Sequence, residues 1–294
     1  MNGTRNERRT PKGPVTCAWA WVLMGVLAGV GECRGASHQH LNAGAFGSEA
    51  GAALYFVNGD RFAEASGYVV ALEKAEEGVH AGLHRGSITL TSLAATLDYG
   101  GPAFGHAAMG ARLEVGVESL EGPEGGRFGF WEHAGGEEGD VLTFDVPVGT
   151  MSGTNRIVLS ENDGAAGTDP YGHIHGRVFT ATVAGLYTVG LRLLETSGNG
   201  EGGGALHRPS EVFRLQFQAG VTLARVTRVS IGEAEVQFGA PSGYLYHLES
   251  SSRLGAGADW RTVGSPLPGN DHLQAVRISV SSATGFFRLK RISQ

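Results

Sequence analysis

What this chain has little of narrows its chemistry first. It holds only two cysteines, Cys17 and Cys33, in 294 residues. Both lie in a stretch expected to be cut off on export, so the remaining chain is expected to carry neither a disulfide nor a thiolate metal ligand. Any metal must then be held by histidine and carboxylate. Basic side chains are also the minority, with 23 Lys and Arg against 29 Asp and Glu. Removing residues 1–36, which hold five basic and two acidic side chains, takes the net charge from −6 to about −9. Nucleic acid and anionic membrane are poor partners for a chain of that sign. No second long apolar run follows the first, and no hydrophobic-plus-basic tail precedes the closing Lys290-Arg291-Ile292-Ser293-Gln294, so no membrane span is expected after cleavage. No Ser-His-Asp or Cys-His arrangement and no close pair of carboxylates stands out, and catalysis is not expected.

What is present begins with a secretory signal peptide over residues 1–36. Arg5, Arg8, Arg9 and Lys12 precede the apolar run VTCAWAWVLMGVLAGV at 15–30, and the small residues Gly35, Ala36 and Ser37 follow it. The product is expected to be secreted, extracellular or at the cell surface, with the periplasm as the other oxidising destination. Beyond Ser37, glycine is abundant at 48 residues while proline is only 10, and strand-forming residues recur in short runs between Gly, Asn, Asp and Ser clusters. That spacing predicts an all-β chain of two β-sandwich, immunoglobulin-like modules, a histidine-containing one over 37–220 and a small one over 221–294. Strands are expected at 53–57, 87–93, 112–120, 127–132, 141–146, 155–159, 177–183, 186–194 and 210–218. In 186–194 the residues Tyr187, Val189, Leu191 and Leu193 alternate with Thr188, Gly190 and Arg192, the period of a half-buried strand.

Nine of the 11 histidines fall between 37 and 220. Two pairs have H-x-H spacing, His38-Gln39-His40 and His173-Ile174-His175. Residues i and i+2 of a strand share a face, so each pair could offer two imidazoles to one ion, and four on two strand ends would suit Zn²⁺, Cu²⁺ or Ni²⁺. The competing reading makes them structural histidines at the rim of a sandwich, since His173 and His175 share parity with Phe179, Ala181 and Val183 and an unbroken strand would turn them inward. Gly176 offers a break in that register. His106 and His133 are lone histidines that could add a further ligand. His80 and His84 have the i, i+4 spacing of a helical zinc site, but Ala81 stands where a zincin needs Glu, and Gly82 points to a turn. Glu161, Asp163 and Asp169 in SENDGAAGTD could bind Ca²⁺ or form a solvated turn. The glycines of SGNGEGGG at 197–204 have no helix after them and predict a mobile loop rather than a phosphate site.

The order His173-x-His175, then Phe179-Thr180, then Gly185-x-Tyr187 resembles a bacterial surface-anchored family called choice-of-anchor M, or ABC-transporter-associated repeat proteins. It is also similar to zinc-repressed cell-surface proteins that share the motif. The likeness covers about 45 residues, 169–217. It implies an immunoglobulin-like sandwich, metal handling through His173 and His175 with His38 and His40 as an N-terminal counterpart, and cell-surface components or a zinc or manganese importer as partners. This chain lacks the Asn-Trp pair that follows the histidines in that family. Tyr246-His247-Leu248-Glu249-Ser250-Ser251, Trp260 and Phe286-Phe287-Arg288-Leu289 are similar to a C-terminal module common in secreted bacterial proteins. The expectation is a secreted, non-enzymatic protein that captures or buffers a divalent transition metal, zinc first. The alternative is a structural or adhesive extracellular protein without metal.

Overall fold

The structure, a computed structural model, describes residues 39–133, 139–173, 177–280 and 285–293, with the backbone alone at His133. The expected signal peptide, His38 and His175 lie outside the described residues, as does the side chain of His133. All described residues belong to one compact unit.

The chain is all-β. In order the strands are β1 (His40–Ala45), β2 (Leu54–Phe56), β3 (Val69–Lys74), β4 (His84–Gly86), β5 (Thr89–Ser92), β6 (Leu113–Glu121), β7 (Arg127–His133), β8 (Asp140–Pro147), β9 (Met151–Val158), β10 (Val178–Ala181), β11 (Gly185–Glu195) and β12 (Phe213–Ala219). Then come β13 (Arg225–Ser230), β14 (Glu233–Ala240), β15 (Tyr244–Ser251), β16 (Arg261–Thr262), β17 (Leu267–Pro268), β18 (His272–Ser279) and β19 (Phe286–Ser293). Among the described residues no helix is long and apolar enough to cross a membrane.

One sheet has the order β2-β1-β5, and a nine-stranded sheet runs β8-β7-β10-β4-β3-β12-β11-β6-β9. Most neighbours are antiparallel, but β1 runs parallel to β5 and β12 parallel to β3. The large core joins inward residues of both sheets, from Leu41 and Leu90 to Phe128, Tyr187, Leu215 and Ala219. In β11 the alternating set Tyr187, Val189, Leu191 and Leu193 is buried to 2 % exposure or less. Flanked by β6 and β12, this strand is covered on both faces for part of its length, so Thr188 and Gly190 are buried too. Tyr187 turns its hydroxyl back to donate to the Val183 carbonyl at 2.9 Å, and burial raises its phenol above the ordinary value. Gly122 and Gly126 make room for the ring: a Cβ would lie 2.7 Å from its Cδ1 at the first and 2.6 Å from its hydroxyl at the second.

Beyond Ala219 the apolar side chains gather in two small clusters. Ala234, Val236, Leu248 and Ile278 form one, and Phe238, Ala240 and Tyr246 the other. Here β14 sits between β13 and β18, while β15 carries β19 on one edge and the short β16 and β17 on the other. Contacts that fasten these strands to the first part include the edge-to-face rings of Tyr68 and His272, 6.0 Å apart, two backbone bonds and a charged clasp. Val69 N–H donates to Asp271 O at 2.8 Å, Leu273 N–H donates to Gly67 O at 2.7 Å, and Arg291 clasps both oxygens of Glu73 at 2.6 Å.

Candidate metal centre

β1 begins at His40 and buries Leu41, Ala43 and Ala45, so the alternate residues His40 and Asn42 take the other face. Two devices hold the start of this strand. Asn58 donates from its side chain to the His40 carbonyl at 2.8 Å and accepts Asn42 N–H at 2.9 Å. The parallel register sets His40 beside Thr89, and the His40 Nδ1 meets the Thr91 hydroxyl, two residues on, at 3.1 Å.

His173 reaches the same place from far along the chain. Just before it, Gly172 forms an isolated antiparallel bridge with Ser92 at the end of β5. Only glycine fits there, because a Cβ would lie 1.7 Å from the Leu159 carbonyl oxygen. The His173 N–H then donates to Glu161 Oε1 at 2.9 Å. Thus β5 has His40 on one flank and His173 on the other, and the two rings meet with centroids 4.6 Å apart at 62°. Beyond the residues that follow His173, β10 begins at Val178, with Phe179 and Ala181 buried.

Two imidazole nitrogens each about 2.0 to 2.1 Å from one ion place their ring centroids about 4.5 to 5.2 Å apart for ligand angles between square and tetrahedral. The observed separation falls in that span. The contact with the Thr91 hydroxyl orients the His40 ring; with Nδ1 as its donor, Nε2 would carry the lone pair that a metal needs. His40 and His173 are thus the two described residues that could hold one ion between them. Among the described residues no three His, Cys, Asp or Glu side chains converge on a metal-sized point. Of the other expected ligands, His106 does not join the pair, and its Nδ1 donates to the Ala107 carbonyl at 2.7 Å. His133 ends β7 opposite Asp140.

The carboxylates of SENDGAAGTD are spent on the backbone and do not form a calcium cradle. Asp169 accepts from Ala95 N–H, Thr96 N–H, the Thr96 hydroxyl and Tyr171 N–H at 2.6 to 3.1 Å. Burial opposes its ionised form, but these donors prevail and hold the carboxyl below its usual range. Asp163 accepts Ala165 N–H at 3.0 Å, and Glu161 serves His173. The glycine-rich loop expected to be mobile is pinned as well. Glu195 accepts Arg112 N–H and Ser197 N–H at 3.1 and 2.7 Å, and Asn199 donates to Gly110 O and Gly164 O at 2.8 Å.

Composition alone did not single out three buried polar groups of this part. Arg177 is 4 % exposed and lies 3.7 Å from Glu132; burial drives its pKa down to about 10, against the pull of Glu132 and Glu161. His207 has both ring nitrogens engaged, Nδ1 donating to Ala52 O at 3.0 Å and Nε2 accepting Ala108 N–H at 2.8 Å. His80 is packed edge-on against Trp131 between Arg85 and Asp140, and burial lowers its pKa. These two histidines are structural, as lone buried histidines commonly are. The chain matches no protein-family model and no curated protein.

Proposed function

We propose that this is an exported, non-enzymatic protein that holds a divalent transition metal, zinc first, between its two H-x-H segments. His40 and His173 hold the ion from two flanks of β5, and His38 and His175 supply further imidazoles. The observation that carries this reading is the meeting of the His40 and His173 rings, centroids 4.6 Å apart, from positions remote in sequence. Bound there, the ion supplies no reaction; the chain captures or buffers it, in line with the resemblance to zinc-repressed cell-surface proteins. On this reading residues 1–36 are a signal peptide. The nine-stranded sheet packs over β2-β1-β5 as an immunoglobulin-like sandwich, and 221–294 is a second, smaller sandwich that spaces or attaches the first.

The test is elemental analysis of the untagged mature chain beside His40→Ala and His173→Ala. Stoichiometric zinc, copper or nickel is expected in the parent and loss in both variants. Imidazole must be neutral to coordinate, so affinity should fall as pH drops through about 6.5. Affinity unchanged down to about pH 5 would remove histidine from the ligand set. A second reading, a metal-free adhesive or structural protein, is favoured by the edge-to-face angle of 62°, since such ring contacts are stable packing in themselves. Parent protein that stays metal-free with excess zinc would select it.

A further inference from the structure

The geometry points to a second binding site, independent of the histidines: an aromatic-fronted cleft at the β1–β2 hairpin that takes a neutral saccharide. Phe46, just past β1, is 73 % exposed yet held in place, its ring stacked on Tyr55 of β2 at 4.0 Å and 10°. Phe104, 89 % exposed, borders the same spot: the next residue, Gly105, accepts Ala45 N–H at 2.7 Å, and a Cβ on Gly105 would lie 2.9 Å from the Tyr55 hydroxyl. An apolar ring costs free energy in water, and two exposed phenylalanines, one of them held by stacking, mark a contact surface. Behind Phe46 and Tyr55 opens a cleft of about 470 Å³, within the size range of small-ligand sites, between β2 and the 208–213 segment. The floor is firm, because Leu54 N–H donates to Arg208 O at 2.9 Å and Arg208 N–H donates to Ala52 O at 3.1 Å.

The polar wall selects the ligand class. Asp60, Arg208 and Glu211 line the cleft, and none of them makes an ion pair with a described residue. The Arg208 Nε is spent on the Gly51 carbonyl at 2.9 Å, and its terminal nitrogens remain as donors. A wholly apolar ligand would strand three charged groups. An organic cation would meet Arg208, and a polyanion would meet two carboxylates on an acidic chain. A pyranose suits every part of the wall: its C–H face lies on the Phe46 ring, and its hydroxyls donate to Asp60 and Glu211 while accepting from Arg208. The site therefore fits a neutral glycan chain running over Phe46 into the cleft.

The experiment is calorimetric titration of the whole mature chain with cellohexaose, laminarihexaose, chitohexaose and maltohexaose, in EDTA and again with zinc. Saturable binding of at least one is expected, equal under both conditions. Phe46→Ala should weaken it at least about tenfold, as should Asp60→Asn combined with Glu211→Gln. Both sets of changes sit on exposed or cleft-lining side chains, and an unchanged thermal melt checks that folding is kept. Absence of saturation by all four sugars up to about 10 mM overturns the assignment, as does parent-like binding by Phe46→Ala.

Discussion

At Asp169 one carboxylate answers four donors from two segments, the 95–96 loop and Tyr171, and so fixes the approach to His173. Asp169→Ala should cost about 3 kcal/mol at neutral pH, since bonds to an ionised acceptor are the stronger kind and their donors would be left without it. The folded-state pKa lies below the ordinary 3.8, so this stability is present above the unfolded value and is lost as pH falls through the folded one. Urea unfolding of parent and variant should therefore differ at pH 7 and converge in strong acid. A gap that stays constant with pH would place the effect in packing rather than in the ionised carboxylate. Because Tyr171 stacks on Tyr99 at 4.9 Å, the variant should also loosen that ring pair.

On the scale of strands, Gly172 decides whether His173 reaches its partner. Gly172→Ala must push the Leu159 carbonyl away or break the bridge to Ser92. We expect a loss of about 2 to 4 kcal/mol, together with metal affinity weakened to the level of His173→Ala. Metal binding as strong as the parent's would mean that the bridge does not position the histidine. This dependence was not legible in the sequence, where Gly172 is one glycine among 48. The strands that read clearly were those with apolar residues at every second place, such as β6, β11 and β12, whose middle positions carry Val, Leu, Tyr and Phe. β1 was missed because its inward residues are Leu41, Ala43 and Ala45, too small to stand out against Asn42 and Gly44. β4 is only three residues long, and the parallel contacts β1–β5 and β3–β12 join segments with no turn between them to announce the pairing. Of the two H-x-H pairs, the described members His40 and His173 bring their rings together. Their H-x-H spacing set them apart, whereas nothing local announced the burial of His207 or His80, whose partners come from segments remote in sequence, Ala52 and Ala108 for the one and Asp140 for the other.

For the whole molecule, the two groups of cores are joined at β3 and the turn before it. The backbone bonds at Val69 and Leu273 and the Glu73–Arg291 clasp hold β15, β18 and β19 against β3. Glu73→Ala should leave hydrogen-exchange protection in β6 and β11 unchanged and lower it in β15 and β19, because the clasp is half-buried and bidentate. Equal loss in both would mean that the cores open as one.

The histidine pair also carries a consequence for timing. His40 opens the first strand of the described chain, while His173 lies about 130 residues later, beyond nine strands. A chain made from its N-terminus carries His40 long before it has a partner, and the rings can meet only once β5, the Leu159 carbonyl and Gly172 are all in place. Any ion bound between them is thus a late arrival that seals a finished fold, clipping a long loop shut in the manner of a crosslink, and its gain in stability comes after assembly rather than during it.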